Sequence, residues 1–223
     1  MEIAARSDAI PEIEDALSYL PRKSVILCRK GQRIFDEQFP SPGLHLVVRG
    51  RVKVTVALPD GAETLVDIFG TDDFFGESSI IGSVRLAERA TALESSTLMS
   101  WPRQEIEDQA EKQPRLGIAL LQMMVKRGQD YQARLECMAL EKTSSRVVRT
   151  LLRFAARFGT ATGDGATQIP PLTHQLISEY VGTSREIVTF QMNHLRQLGL
   201  LRYSRTAILI YTEPLKAHLA TLS

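Results

Sequence analysis

Cysteine is scarce: Cys28 and Cys137 are the two present in 223 residues. They lie far apart, and neither has a second Cys or a His at ligand spacing, which argues against zinc and iron–sulfur sites. Free thiols in a cytoplasmic protein are the expectation. Histidine is as sparse. His45, His174, His194 and His218 are scattered, none in a metal spacing or beside an obvious nucleophile. No Gly-rich loop ending in Lys-Ser/Thr is present, so the usual sign of nucleotide hydrolysis is missing and an enzyme is not expected. The chain also lacks any run of about 18 apolar residues, so no membrane span is expected. Its acidic start, MEIAARSDAIPEIEDAL, does not read as a signal peptide.

Net charge is nearly absent, at +1, but unevenly spread. From residue 140 onward ten Lys and Arg face five Asp and Glu, a surplus of +5, so the rest of the chain carries −4. A basic C-terminal part on an acidic N-terminal part suits a phosphate-binding module attached to something else.

That basic part contains the most informative stretch, LTHQLISEYVGTSREIVTFQMNHLRQLGLL, residues 172–201. Thr173 is placed to cap a first helix whose buried side is Leu176, Ile177, Tyr180 and Val181. Gly182 supplies the positive φ of a sharp turn. Thr183 and Ser184 offer caps for a second helix, and Val188, Met192, Leu195 and Leu198 repeat at its core spacing. Arg185, Glu186, Thr189 and Gln191 fall elsewhere. This is the pattern of a helix-turn-helix, whose second helix enters the DNA major groove N-terminus first. Arginine donates twice to guanine and a carboxylate accepts from cytosine, so Arg185 and Glu186 suit base reading. The plainer alternative is that Thr183 and Glu186 form a capping box and Arg185 is a solvated charge. Leu200–Ser204 and Ala207–Tyr211 follow as a hairpin, the wing of a winged helix, from which Ser204 and Arg205 are placed to touch phosphates.

Upstream, Pro11–Leu20 has the spacing of a short amphipathic helix. From Lys23 to Trp101 short β runs alternate with Gly and Pro, which implies a sandwich or jelly roll. Val52, Val54 and Val56 alternate with Lys53 and Thr55, one face buried and one wet. A helical segment from Arg115 to about Leu140 carries Leu116, Leu120, Met123, Met124, Arg127, Tyr131, Leu135 and Met138 at three- and four-residue steps. The stripe fits packing on the parent domain; its length and near-heptad spacing favour a coiled-coil seam between two subunits. Residues 142–144 make a hinge before a further helix, and Gly159–Ala166 reads as a loop.

The chain resembles the bacterial transcription regulators named after the cyclic-AMP receptor protein and the fumarate–nitrate reductase regulator. The likeness covers almost the whole length and rests on RGRVKV at Arg49–Val54, DFFGES at Asp73–Ser78 and VGTSREIV at Val181–Val188. It implies an α+β protein with three parts. Residues 1–113 would form a cyclic-nucleotide-binding-type β jelly roll, 114–140 a long dimerisation helix, and 141–223 a winged helix-turn-helix. It also implies a homodimer that reads an inverted repeat in double-stranded DNA and contacts RNA polymerase. By position, Arg185 and Glu186 match the family's base-reading pair and Ser184 its backbone-contacting cap. The usual third reader, an arginine, is Phe190 here, suited instead to a thymine methyl.

For the effector, the resemblance places Gly76, Glu77 and Ser78 at the start of a phosphate-binding cassette for a cyclic nucleotide, cAMP or cGMP. The arginine that neutralises the phosphate falls, without gaps, at Leu86; Arg85 and Arg89 stand close by, and a small insertion would bring Arg89 into place. Tyr131 and Gln132 match residues that meet the base. The alternative is that Glu77 is an internal salt-bridge partner and the pocket is fitted to something else. A nucleotide-binding adaptor acting through protein contacts, without DNA, is the competing function.

Overall fold

The computed structural model describes residues 14–58, 61–81, 88–203 and 206–222. Of the expected helix at Pro11–Leu20, the described part forms a short 3-10 turn, Ala16–Tyr19, capped by the Asp15 carboxylate, which accepts from the Leu17 amide. Eight strands follow: β1 (Ile26–Cys28), β2 (Arg33–Phe35), β3 (Gly43–Arg49), β4 (Val52–Ala57), β5 (Glu63–Phe69), β6 (Phe74–Phe75), β7 (Glu88–Ala92) and β8 (Ser96–Pro102). They pair into two antiparallel sheets of order β1-β8-β3-β6 and β2-β7-β4-β5, the two layers of a jelly roll. Val47, Val52, Val54, Phe69, Phe75, Ala90 and Leu98 fill the space between them. The alternation along β4 holds only to Val54. A register shift against β5 at Val54/Thr55 breaks the period, so Thr55 is buried and Val56 half-exposed.

A helix α1 (Arg103–Lys112) leads to the 26-residue α2 (Arg115–Leu140). Two faces of α2 are apolar. Leu116 and Ala119 are fully buried, with Leu120 and Met123 packed beside them, all against the jelly roll. Arg127 continues that face, pairing with Glu77 and donating to the Phe74 carbonyl. The stripe through Leu116, Leu120, Met123 and Arg127 is therefore packed within the chain rather than left open for a seam. The open face is offset from it: Ile118, Leu121, Val125, Gly128, Gln132, Leu135 and Ala139 are all exposed, at strict three- and four-residue steps. Because 3.6 residues per turn drift against a stepped pattern, Leu135 starts on the inward stripe by spacing and ends on the outward one.

After α3 (Thr143–Phe158) come β9 (Thr160–Ala161), β10 (Thr167–Ile169), α4 (His174–Val181), α5 (Arg185–Gln197), β11 (Leu201–Tyr203), β12 (Ile208–Ile210) and α6 (Thr212–Leu222). The four strands form a sheet of order β11-β12-β10-β9. The expected wing is present as β11–β12; β9 arises inside what reads as a loop and β10 directly after it, because two- and three-residue strands show no period. The C-terminal core gathers Val147, Leu151, Phe154, Ile177, Val188, Met192, Leu195 and Ile210, and it includes Leu65 and Ile68 of β5. The jelly roll and the C-terminal module are thus packed together through β5. Arg157 of α3 fixes the contact, at 2.9 Å from both Asp67 and Asp73, and it donates to the Ile68 carbonyl at 2.8 Å. Burial alone would lower the Arg157 pKa, but the two carboxylates more than offset it and raise it.

The α4–α5 turn rests on Gly182, at φ +71°, whose amide donates to the Ser178 carbonyl, as does that of Thr183. An added Cβ would also stand 3.0 Å from Met138 Cε. Gly182→Ala is expected to lower stability by about 1–2 kcal/mol, read by urea denaturation; an unchanged midpoint contradicts this account of the turn.

Candidate nucleic-acid interface and effector pocket

In the helix-turn-helix, Val188, Met192 and Leu195 bury one side of α5 at 1% exposure or less. Its other side is open: Arg185, Glu186, Ile187 and Phe190 are all exposed, Phe190 by 68%. Ser184 is the N-cap, its hydroxyl accepting from the Ile187 amide at 3.3 Å, and Glu186 therefore lies two residues in. The capping box between Thr183 and Glu186 does not form, because the cap is one residue later than that box requires. The Glu186 carboxyl is held below its usual range by its own backbone amide and the Ser184 hydroxyl. It stays an ionised acceptor at the helix start.

Thr173 caps α4, accepting from the Leu176 amide at 3.1 Å. Its O–H remains able to donate outward. Thr189 is less available. Its hydroxyl donates to the Arg185 carbonyl at 2.9 Å and stands 2.9 Å from Nδ1 of His174. That pair ties the start of α4 to the middle of α5, a role no spacing in the sequence announces. Burial, and then the charge of Arg185, lower the His174 pKa. Two further ties were not legible. The Tyr203 hydroxyl donates to Asn193 Oδ1 at 2.9 Å, and Arg196 lies over the Tyr203 ring at 5.5 Å, so β11 is fastened to α5. Phe190 lies parallel to His194, ring centroids 6.5 Å apart. Ser204 and Arg205 lie outside the described residues.

In the jelly roll, Gly76 takes φ +84°, and a Cβ there would meet His45, the Gly43 carbonyl and Ser41 within about 3 Å. Glu77–Ile81 then form a 3-10 turn. Glu77 is engaged by Arg127 of α2. The Ser78 hydroxyl donates to Glu88 at 2.5 Å; burial chiefly raises the Glu88 pKa. Arg89 does not serve this turn. Its nitrogens pair with Glu37 at 2.9 Å and Glu63 at 2.7 Å, on the face of β7 opposite the buried Ala90 and Ala92. Arg85 and Leu86 lie outside the described residues. Among the described residues, then, the arginines near the turn, Arg89 and Arg127, are already paired, and the turn carries a second carboxylate, Glu88. Tyr131 and Gln132, adjacent in sequence, part company on α2. Tyr131 is half-buried, its pKa pushed up to about 12 by burial and by Asp67. Gln132 is exposed on the open stripe and donates to Glu136 at 3.0 Å.

Beneath the turn, His45 is 4% exposed and packs in a cluster of three rings with Phe35 and Phe75, at centroid distances of 5.6 and 5.0 Å. Burial lowers its pKa from 6.5 to about 4. Between those values the unfolded chain takes up a proton that the folded chain refuses. Stability is accordingly full above pH 6.5 and is lost as pH falls towards 4, by about 3 kcal/mol. Urea titrations across that range should show the decline, and His45→Phe should flatten it; an equal slope in both proteins refutes the assignment to His45.

The family model of the cyclic nucleotide-binding domain matches residues 26–113, and that of the Crp-like helix-turn-helix domain matches residues 145–215. A CRP-like cAMP-activated global transcriptional regulator of Mycobacterium tuberculosis is 28% identical over 211 residues, 94% of each chain. A global nitrogen regulator of Synechococcus elongatus is 28% identical over 184 residues, 82% of this chain and 83% of that one. Among solved structures, FixK2 from Bradyrhizobium japonicum superposes with a TM-score of 0.75 at 20% identity, over 90% of this chain and 96% of that one. A CRP/FNR-family regulator from Thermus thermophilus does so with a TM-score of 0.71 at 20% identity, over 90% and 100%. At that identity the structures share the fold.

Proposed function

We infer that this chain, which belongs to the CRP/FNR family of transcription regulators, acts as a homodimer reading an inverted repeat in double-stranded DNA through α5. The observation that carries the reading is the open face of α5. A helix start bearing Arg185, Glu186, Ile187 and Phe190, all exposed on a rigid buried base, is what major-groove entry requires. Arg185 and Glu186 read G·C and C·G pairs, and Phe190 meets a thymine methyl. Thr173, Thr183, Ser184 and the wing residue Arg205 contact phosphates. Thr189 acts from beneath, through His174.

The second copy meets the first along the open stripe of α2. Ile118, Leu121, Val125 and Leu135 are 49%, 60%, 54% and 65% exposed in the single chain. Gly128 sits on the same stripe with nothing within 4 Å of an added Cβ. A glycine inside a helix costs about 1 kcal/mol, and here its benefit is the close approach of a second helix. The division into residues 1–113, 114–140 and 141–223 follows, as effector domain, dimer helix and DNA-binding module, with RNA polymerase as partner and the cytoplasm as location. No helix among the described residues is long and apolar enough to cross a membrane.

The effector is a small molecule held beneath the Glu77 turn. Relatives named as cAMP-activated support a cyclic nucleotide, whereas the pairing of Arg89 and Arg127 and the presence of Glu88 oppose one. Arg85 is the remaining cation for the phosphate. Calorimetry with cAMP and cGMP on the protein and its Arg85→Ala variant decides: heat lost with Arg85 establishes the cyclic nucleotide, and silence from both nucleotides removes it.

Selection from random duplexes should return an inverted repeat with half-sites about one helical turn apart; recovery of no repeat overturns the DNA reading. Arg185→Ala should lose about 1–3 kcal/mol of discrimination at one base pair, seen as relaxed preference at that position in competition binding. Leu121→Glu should sediment as a monomer and bind the repeat weaker by on the order of a hundredfold. A dimer of undiminished affinity places the seam elsewhere.

A further inference from the structure

Away from both sites, a cleft of about 260 Å³ opens between the C-terminal half of α2 and helices α3, α4 and α6. Four arginines line it: Arg134 from α2, and Arg146, Arg149 and Arg153 from α3. Two are committed. Arg134 lies over the Tyr180 ring at 4.1 Å and donates to the Val66 carbonyl at 2.6 Å, and Arg149 pairs with Glu141 at 2.5 Å. The other two are loosely held. Arg146 reaches the Met138 carbonyl, Thr143 and the Gly182 carbonyl at 3.3–3.4 Å, and its buried Nε has no partner. Arg153 reaches Asp130 at 3.4–3.5 Å.

Tyr180 supplies a second, independent observation. The residue is 4% exposed and lines the cleft; Arg153 bears on its hydroxyl oxygen, but the O–H itself meets no acceptor. Burial raises the pKa of that phenol while the nearby Arg153 lowers it. An unpaired buried hydroxyl costs about 1–3 kcal/mol, which a ligand accepting from it recovers. The carboxylates paired with the lining arginines are Glu141 and Asp130, so four guanidiniums against two carboxylates leave two positive charges. The remaining wall is apolar, with Cys137, Leu152, Val181 and Leu219. The α2 residues involved, Ala133, Arg134 and Cys137, lie about half a turn round the helix from Gly128, Gln132 and Leu135. A dimer closed along the open stripe leaves the cleft accessible.

We propose that this cleft is a binding site for a small organic phosphate monoester. The phosphate takes the N–H groups of Arg146 and Arg153 and the hydroxyl of Tyr180, while the organic part lies on the apolar wall. The charge identifies the class. A monoester is close to a dianion at neutral pH and matches the surplus of two positive charges in the cleft as a whole, whereas a cyclic diester carries one charge. Guanidinium and hydroxyl donors that line one cleft suit several phosphate oxygens at once. The occupant touches α2, α3 and α4 together, so it fastens the DNA-binding module to the long helix.

The test is calorimetry of the full chain with phenyl phosphate, with inorganic phosphate as the comparison. Phenyl phosphate should bind one site per protomer, and more tightly than inorganic phosphate. Arg146→Gln and Arg153→Gln should each weaken it at least about tenfold, and Tyr180→Phe, which keeps the ring, by roughly threefold or more. Lys216→Gln, which removes an exposed cation paired with Glu213, should leave it unchanged. Four results each overturn the proposal: no saturable binding, equal affinity for inorganic phosphate, full affinity in a folded Arg153→Gln or Tyr180→Phe protein, or an equal loss in Lys216→Gln.

Discussion

One helix has to satisfy two apolar faces at once, and the architecture depends on how α2 divides them. Its inward face buries Leu116 and Ala119 against the jelly roll and places Arg127 beside Glu77. Its outward face leaves Ile118, Leu121, Val125 and Leu135 uncovered. Full burial of such a side chain stabilises by about 1.5–3 kcal/mol relative to exposure. The outward stripe therefore represents a large free energy that the single chain does not recover. The association proposed through α2 is what recovers it, and such a dimer sets two DNA-binding modules at a fixed separation. Arg127, beside Glu77, and Arg134, over the Tyr180 ring, belong to the same 26-residue helix, so one rod touches both domains.

The jelly roll and the C-terminal module are also joined directly. Arg157 reaches from α3 to Asp67, Asp73 and the Ile68 carbonyl, and Leu65 and Ile68 sit in the C-terminal core. Gly70 permits this approach, since a Cβ there would come within 2.8 Å of the Phe158 ring. Removing one partner of a buried ion pair typically costs about 3–5 kcal/mol, because the other charge is left stranded. A contact with that much at stake holds the DNA-binding module in one orientation. Any effector that changes the orientation has to differ in affinity between the two arrangements by a comparable amount.

At the helix-turn-helix, the start and angle of α5 are fixed by contacts within the chain. Ser184 fixes where α5 begins, Gly182 fixes the angle at which it leaves α4, and His174 holds Thr189. Arg185, Glu186 and Phe190 are thereby presented on a scaffold that does not need to reorganise. Preorganisation of this kind converts contacts into discrimination rather than spending them on ordering. The effector end is less finished. Glu77, Ser78 and Arg89 all have partners within the chain. A ligand there has to compete with those pairs, and the competition itself is a means of coupling binding to the position of α2.

Much of this is fixed by sequence alone. The helix-turn-helix is local. Its caps, its glycine turn and the three- and four-residue repeat of Val188, Met192 and Leu195 lie within about 25 residues, and short-range periodicity is sufficient to define them. The jelly roll is legible as a class, because alternation and Gly/Pro punctuation mark strands without saying which pair. Tertiary structure alone decided the rest. Which stripe of α2 faces inward depends on a match with Phe74, Glu77 and Val66, some 50 to 70 residues away. Whether Arg89 meets a phosphate or a carboxylate depends on Glu37, in the bend after β2, and Glu63, on β5. Those outcomes are set by which long-range partners the fold brings together, and spacing along the chain carries no record of them.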